Sequence, residues 1–190
     1  MKVLIYGFGR MGLTHYTILN SLKDNIEFVI IEPNSRLSAL LSKNLNAKFV
    51  KDDVQLKESF DLTLITSPPF AHINNLNSSV ERGDKIIFIE KPFGGHFNYS
   101  NKKYNSDIYI GYVLRHNPIV NYIKNNIQLD GLREVNASYV SNTISKKPKG
   151  WRNGKYSGVL NEMGSHLIDL SNYLFDLSDF KVIDSKIKSI

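Results

Sequence analysis

Apolar residues along this chain fall into short unbroken runs, and between the runs the spacing changes to that of a helix. The runs cover residues 2–6 (Lys2-Val3-Leu4-Ile5-Tyr6), 27–31, 85–89 and 108–113, with a further strand over 59–66 in which polar residues are interspersed. Runs that are apolar at successive positions, and not only at alternate ones, predict strands buried on both faces, as in a parallel sheet. Helical spacing occupies residues 13–19, 35–46 and 69–82, with Leu37, Leu40 and Leu41 on one face of the second. Residues 47–50 predict a further short strand. The strands stop at turns or breakers: Gly7, Glu32-Pro33-Asn34, Ser67-Pro68-Pro69 and Glu90-Lys91-Pro92-Phe93-Gly94-Gly95. Strand alternating with helix over the first 115 residues predicts an α/β sheet with helices on both faces and right-handed crossovers.

From residue 118 the pattern changes. A helix over 118–127 precedes a longer strand over 133–144, rich in β-branched residues and tyrosine. A basic loop (146–158), a helix over 159–175 and a last strand over 181–190 follow. The division predicts a first domain of residues 1–117 and a smaller, incomplete α+β unit of residues 118–190.

The first turn carries the earliest chemical information. Gly7-Phe8-Gly9-Arg10-Met11-Gly12 lies between a strand and a helix, the order required of a dinucleotide-binding unit. Gly7 allows the tight turn, Gly9 lets backbone approach a diphosphate, and Gly12 lets the helix lie close on the strand. The helix presents free N–H groups and the positive end of its dipole to the phosphates, so Phe8, Arg10 and Met11 belong to the expected cradle. The sheet is therefore of Rossmann type, doubly wound. Glu32 stands 20 residues beyond Gly12. A carboxylate there accepts from the adenosine ribose hydroxyls and repels a 2′-phosphate, which favours NAD over NADP. Nearby Arg36 softens that preference, and Glu32 also reads as an ordinary acid closing a strand.

In an open parallel sheet, ligands bind beyond the carboxyl ends of the strands. Ser67, Pro68 and His72 lie at that edge, as cofactor contacts or, for His72, as a structural histidine of a first helical turn. Glu90 and Lys91 lie there too, one strand on. A lysine at such a position donates to a nicotinamide ribose and to a substrate hydroxyl, and Pro92 behind it fixes the backbone. In the 159–175 helix, Glu162, His166, Asp169 and Tyr173 share a narrow stripe at 100° per residue. An acid and a histidine at i and i+4 suit proton transfer near neutral pH. The same stripe also reads as the polar flank of an amphipathic helix. It lacks an evident third metal ligand, so no metal is expected.

Composition adds exclusions. The 190 residues are 42% hydrophobic and 22% charged, ordinary for a globular chain. No window reaches the roughly 18 apolar residues of a membrane helix, and the N-terminal apolar run is too short for a secretory signal. Without cysteine there is no disulfide, thiolate zinc site or thiol nucleophile. The cytoplasm is the expected compartment. The net charge of +6 is spread, with 14 basic and 11 acidic groups in residues 1–117 and 10 and 7 in residues 118–190. Nucleic-acid binders concentrate such an excess in a stripe. One cluster exists, Lys146, Lys147, Lys149, Arg152 and Lys155: either a solvated loop or a landing site for an anionic substrate.

Taken in order, these pieces resemble the Gfo/Idh/MocA oxidoreductases, a family that includes glucose–fructose oxidoreductase and inositol dehydrogenase. The resemblance rests on the glycine turn, Ser67-Pro68-Pro69-Phe70-Ala71-His72, Glu90-Lys91-Pro92 and Gly111-Tyr112-Val113-Leu114-Arg115-His116-Asn117-Pro118. It continues through Gly150-Trp151-Arg152 and Ser157-Gly158-Val159-Leu160-Asn161-Glu162-Met163-Gly164-Ser165-His166-Leu167-Ile168-Asp169. It implies NAD(P)-dependent oxidation or reduction of a hydroxyl or carbonyl on a sugar, sugar nucleotide or cyclitol. Lys91 is implied to bind the nicotinamide ribose and the reacting hydroxyl, and His166 to move the proton. Glu162 occupies the place of the family's usual Asp. Arg115, Trp151, Arg152 and Asp169 are expected on the substrate side. Relatives exceed 300 residues, so a C-terminally truncated member is expected, and their habit of pairing through the second-domain sheet suggests a homo-oligomer. The alternatives are a remnant that binds NAD without turnover, and a different Rossmann reductase in which Glu162 and His166 touch no substrate.

Overall fold

The computed structural model describes residues 1–22, 24–93, 105–127, 134–139 and 160–176. Six strands form one parallel sheet: β1 (Lys2–Tyr6), β2 (Glu27–Ile31), β3 (Lys48–Val50), β4 (Leu62–Ile65), β5 (Ile86–Ile89) and β6 (Asp107–Ile110). Their spatial order is β3-β2-β1-β4-β5-β6, and every neighbouring pair is parallel. The order reverses between β1 and β4, which opens a crevice at their carboxyl ends.

The unbroken apolar runs are explained by burial on both sides. On one face Val3, Ile5, Phe28, Ile30 and Leu64 pack with Phe8 and with Tyr16 of α1 (Arg10–Leu22). On the other, Leu4, Tyr6, Val29, Ile31, Ile65, Ile87 and Ile89 pack with Leu76. Leu76 belongs to α3 (His72–Arg82), which follows the single-turn helix Pro69–Ala71. The remaining helices are α2 (Ser35–Leu41), α4 (Pro118–Asn126) and α5 (Ser165–Phe175).

Several elements differ from expectation for local reasons. The helix expected over 35–46 ends at Leu41, where the Asn44 side chain donates to the Leu40 carbonyl at 2.8 Å and competes with the helix for it. The strand expected over 108–113 ends at Ile110, and Val113–His116 forms a short 3₁₀ turn. The helix expected over 159–175 is regular only from Ser165. Leu160–Gly164 is a π turn, wider by one residue per hydrogen bond. Of the strand expected over 133–144, residues 134–139 are described. They form no strand and are exposed at every position. The strand expected over 181–190 and the loop 146–158 lie outside the described residues.

Candidate functional site

The glycine turn is shaped as a cradle. Gly7 sits at φ +81°, and a Cβ there would stand 2.8 Å from the Ser67 Cα. At Gly12 a Cβ would come within 2.3 Å of the Gly7 carbonyl oxygen and 2.9 Å of Thr66 Oγ1, so α1 packs against the turn without room for a methyl group. Thr66 contributes to that tightness by donating to the Gly7 carbonyl at 2.6 Å. A Cβ at Gly9 would meet nothing within 4 Å. The turn is thus closed where protein packs on protein and open in front of the helix tip. The N–H groups of the first helical turn have no intrahelical partner, and no acidic side chain competes there. Arg10 and Met11 are exposed at that tip. These features fit a dinucleotide diphosphate, a fit the structure makes through main chain.

Glu32 is fixed beside the cradle. Phe8 N–H donates to its Oε2 at 3.1 Å and Asn34 N–H to its Oε1 at 3.0 Å, which holds a carboxylate one strand away from the turn. Ser67 follows β4; its hydroxyl accepts from Asn75 Nδ2 at 2.8 Å, and Pro68 leads into the following short helix. Both His72 nitrogens face main-chain carbonyls. It is 1% exposed, its Nε2 donates to the Ser67 carbonyl at 2.8 Å, and its Nδ1 stands 3.2 Å from the Pro92 carbonyl. The ring bonds the loop after β4 and abuts the loop after β5. Burial pushes its pKa below the ordinary value, with both carbonyls and Glu90 opposing.

Lys91 extends from the end of β5 ahead of a cis bond to Pro92. Its ammonium donates to the main-chain carbonyl of Glu162 at 2.8 Å. The π turn presents that carbonyl, so Glu162 meets the lysine through its backbone. A wider turn breaks the α-helical hydrogen-bond register and redirects carbonyls, which is why π turns recur at sites. His166, one turn on, is buried, and its Nδ1 has no partner among the described residues. Tyr112 and Tyr139 flank the imidazole with ring centroids at 6.3 and 6.4 Å. Burial lowers the His166 pKa, and the positive charge of Lys91 lowers it further, while Asp169 and Glu90 oppose. The imidazole is therefore neutral near pH 7, and the two groups share one electrostatic neighbourhood.

Two expected substrate contacts are instead engaged with each other. Arg115 donates through Nε to both carboxylate oxygens of Asp169, at 3.1 and 2.9 Å, fastening the 3₁₀ turn to α5. A buried carboxylate needs such a partner, and the guanidinium fork supplies it. Trp151 and Arg152 lie outside the described residues.

Sequence reasoning missed His15, whose Nε2 donates to the Glu90 carboxylate at 2.8 Å. The signal was present: three residues after Gly12, His15 lies on the helix face that meets the crevice. It also missed Tyr112 and Tyr139, since neither lies in a helical or glycine pattern. Among the described residues no group of three His, Asp or Glu side chains is arranged to hold a metal ion, and no helix is long and apolar enough to cross a membrane.

Comparison with known proteins follows the same lines. The family model GFO_IDH_MocA, described as an oxidoreductase family with an NAD-binding Rossmann fold, matches residues 1–102. The chain is 25% identical over 194 residues to the glucose-6-phosphate 3-dehydrogenase of Bacillus subtilis (strain 168), covering 94% of this chain and 55% of that protein. Among solved structures it resembles the WlbA dehydrogenase of Chromobacterium violaceum in complex with NADH and UDP-GlcNAcA. The TM-score is 0.70 at 15% identity, over 92% of this chain and 55% of that one. It also resembles a myo-inositol dehydrogenase from Corynebacterium glutamicum, with a TM-score of 0.62 at 18% identity over 92% and 54%. The chain thus spans about half the length of these relatives.

Proposed function

The chain belongs to the Gfo/Idh/MocA oxidoreductase family, with its NAD-binding Rossmann fold, and from that premise we propose that it oxidises a hydroxyl, or reduces the carbonyl, of a sugar, sugar nucleotide or cyclitol. The observation that carries the reading is the pairing of an open diphosphate cradle at Gly9 with the Lys91 amine, held on the Glu162 carbonyl one helical turn from the buried His166 imidazole. Bound NAD supplies the hydride acceptor. Gly7 through Gly12 hold its diphosphate, and the Glu32 carboxylate selects against a 2′-phosphate. Lys91 orients the reacting hydroxyl and stabilises negative charge on its oxygen as the C–H bond breaks. His166, uncharged at neutral pH, accepts the hydroxyl proton and returns it in the reverse direction. Basic residues between 146 and 155 give the substrate an anionic part, a phosphate or a nucleotide.

Calorimetry with NADH and NADPH tests the cofactor half: tighter NADH binding is expected, and failure to bind either overturns it. Turnover with NAD and glucose 6-phosphate, myo-inositol or a UDP-hexuronic acid tests the chemistry. Lys91→Ala and His166→Ala should each lower the rate by about 10²-fold or more; rates equal to wild type remove both from the mechanism. A second reading, NAD binding without turnover, draws on the engagement of Arg115 and Asp169 with each other. It predicts normal NADH binding and no oxidation of any of these compounds.

A further inference from the structure

We propose that His15 is a positioning residue for Lys91, gripping the residue before it from α1. The proposal rests on the reading of Lys91 as the amine of the site. Glu90 N–H donates to the Ile65 carbonyl at 2.9 Å, continuing the β4–β5 ladder one residue past β5. Beyond it the chain leaves the sheet, and strand pairing no longer sets the direction of residue 91. A side-chain tie takes over. His15 of α1 donates to the Glu90 carboxylate at 2.8 Å, its ring edge against Phe88. Beyond Lys91, the His72 ring of α3 gives its one N–H to the Ser67 carbonyl and only abuts the Pro92 carbonyl. Residue 90 is thus held from the α1 face of the sheet, and Lys91 extends from it to the Glu162 carbonyl. Three residues before His15 is Gly12, the last glycine of the cradle. One helix therefore carries both the diphosphate site and the tie to Glu90, which links cofactor seating to the placement of the amine.

The test reads Lys91 directly and needs no substrate. Amine acetylation by sulfo-NHS-acetate is followed at Lys91 by mass spectrometry, with Lys2 and Lys85, each paired to a carboxylate away from the site, as internal references. In His15→Leu the Lys91 rate should rise about fivefold relative to the references, the factor that goes with losing one ordinary hydrogen bond. His15→Gln, whose amide still donates toward Glu90, should return the rate to near that of wild type. Loss of packing alone raises all three lysines together and is not rescued by glutamine. His15 is partly packed, its side chain 22% exposed and its ring against Phe88, so the glutamine variant separates the lost hydrogen bond from lost packing. A Lys91 rate unchanged in His15→Leu, or a rise shared equally by Lys2 and Lys85, overturns the proposal. Absence of NADH binding to the wild-type chain would overturn the cofactor reading alone and leave the labelling result standing.

Discussion

Gly9 and Gly12 lie three residues apart in one turn, and adding the same methyl group to each should have opposite consequences. At Gly12 the new Cβ would stand 2.3 Å from the Gly7 carbonyl oxygen and 2.9 Å from Thr66 Oγ1. The nearer obstacle is main chain, which cannot rotate away, so α1 must lift from the turn. Overpacking of this kind costs typically about 1–3 kcal/mol, and a backbone obstacle puts Gly12→Ala at the upper end. For a chain of this length each kcal/mol moves the melting midpoint by about 2–4 °C, so Gly12→Ala should melt roughly 6–12 °C below wild type. At Gly9 the Cβ meets nothing within 4 Å. Gly9→Ala should then fold with a stability within about 0.5 kcal/mol of wild type. The methyl instead occupies the space in front of the helix tip where a diphosphate would sit. Displacing one hydrogen bond to a charged group, worth about 1.5–3 kcal/mol, weakens NADH roughly 10- to 150-fold. Differential scanning calorimetry and titration calorimetry with NADH separate the two effects. A Gly9→Ala variant that binds NADH as tightly as wild type, or that melts as low as Gly12→Ala, would refute the assignment of the open space to cofactor.

Two further outcomes follow from buried polar pairs. The Tyr6 hydroxyl donates to Asp53 at 2.6 Å, and burial first, then that bond, push the phenol up to about 12. Its folded pKa exceeds the unfolded value near 10, so its contribution is intact below pH ~10 and is lost as pH rises through 12. Urea unfolding between pH 9 and 12 should show a decline that shrinks in Tyr6→Phe, with Tyr112, also raised by burial, keeping part of it; equal slopes would contradict the burial account. Arg115→Ala should cost about 1–3 kcal/mol because it strands the buried Asp169 carboxylate. Asp169→Asn, which keeps a hydrogen-bond acceptor, should cost less. A loss in Arg115→Ala too small to measure in urea melts would return Arg115 to the substrate side.

The parallel sheet was legible because burial on both faces leaves no polar alternation in the cores of β1, β2 and β5, although Asp61 and Thr63 interrupt the run around β4. The cradle was legible for a similar reason, since glycine spacing reports backbone geometry directly. What could not be read were contacts between distant segments. Asp169 looked available on its helix stripe because its partner Arg115 comes 54 residues earlier. His72 reads alike whether its nitrogens face a ligand or the carbonyls of residues 67 and 92. The stripe through Glu162 was drawn at 100° per residue, a rotation that holds only where the helix is regular, and Leu160–Gly164 is not. A π turn has no distinctive residue pattern in one sequence, so the carbonyl it turns toward Lys91 could not be read.

That last detail bears on how the protein tolerates change. A main-chain oxygen is chemically the same under any residue, so the bond from Lys91 to the carbonyl at position 162 survives drift in the side chain there. Gly164 has no such freedom, since a Cβ there would stand 2.9 Å from Leu160 Cδ1. Chain length is fixed as well. The bulge is one residue of surplus stored in a helix, and losing a residue between 160 and 164 would let the coil tighten and turn that carbonyl aside by about a quarter turn.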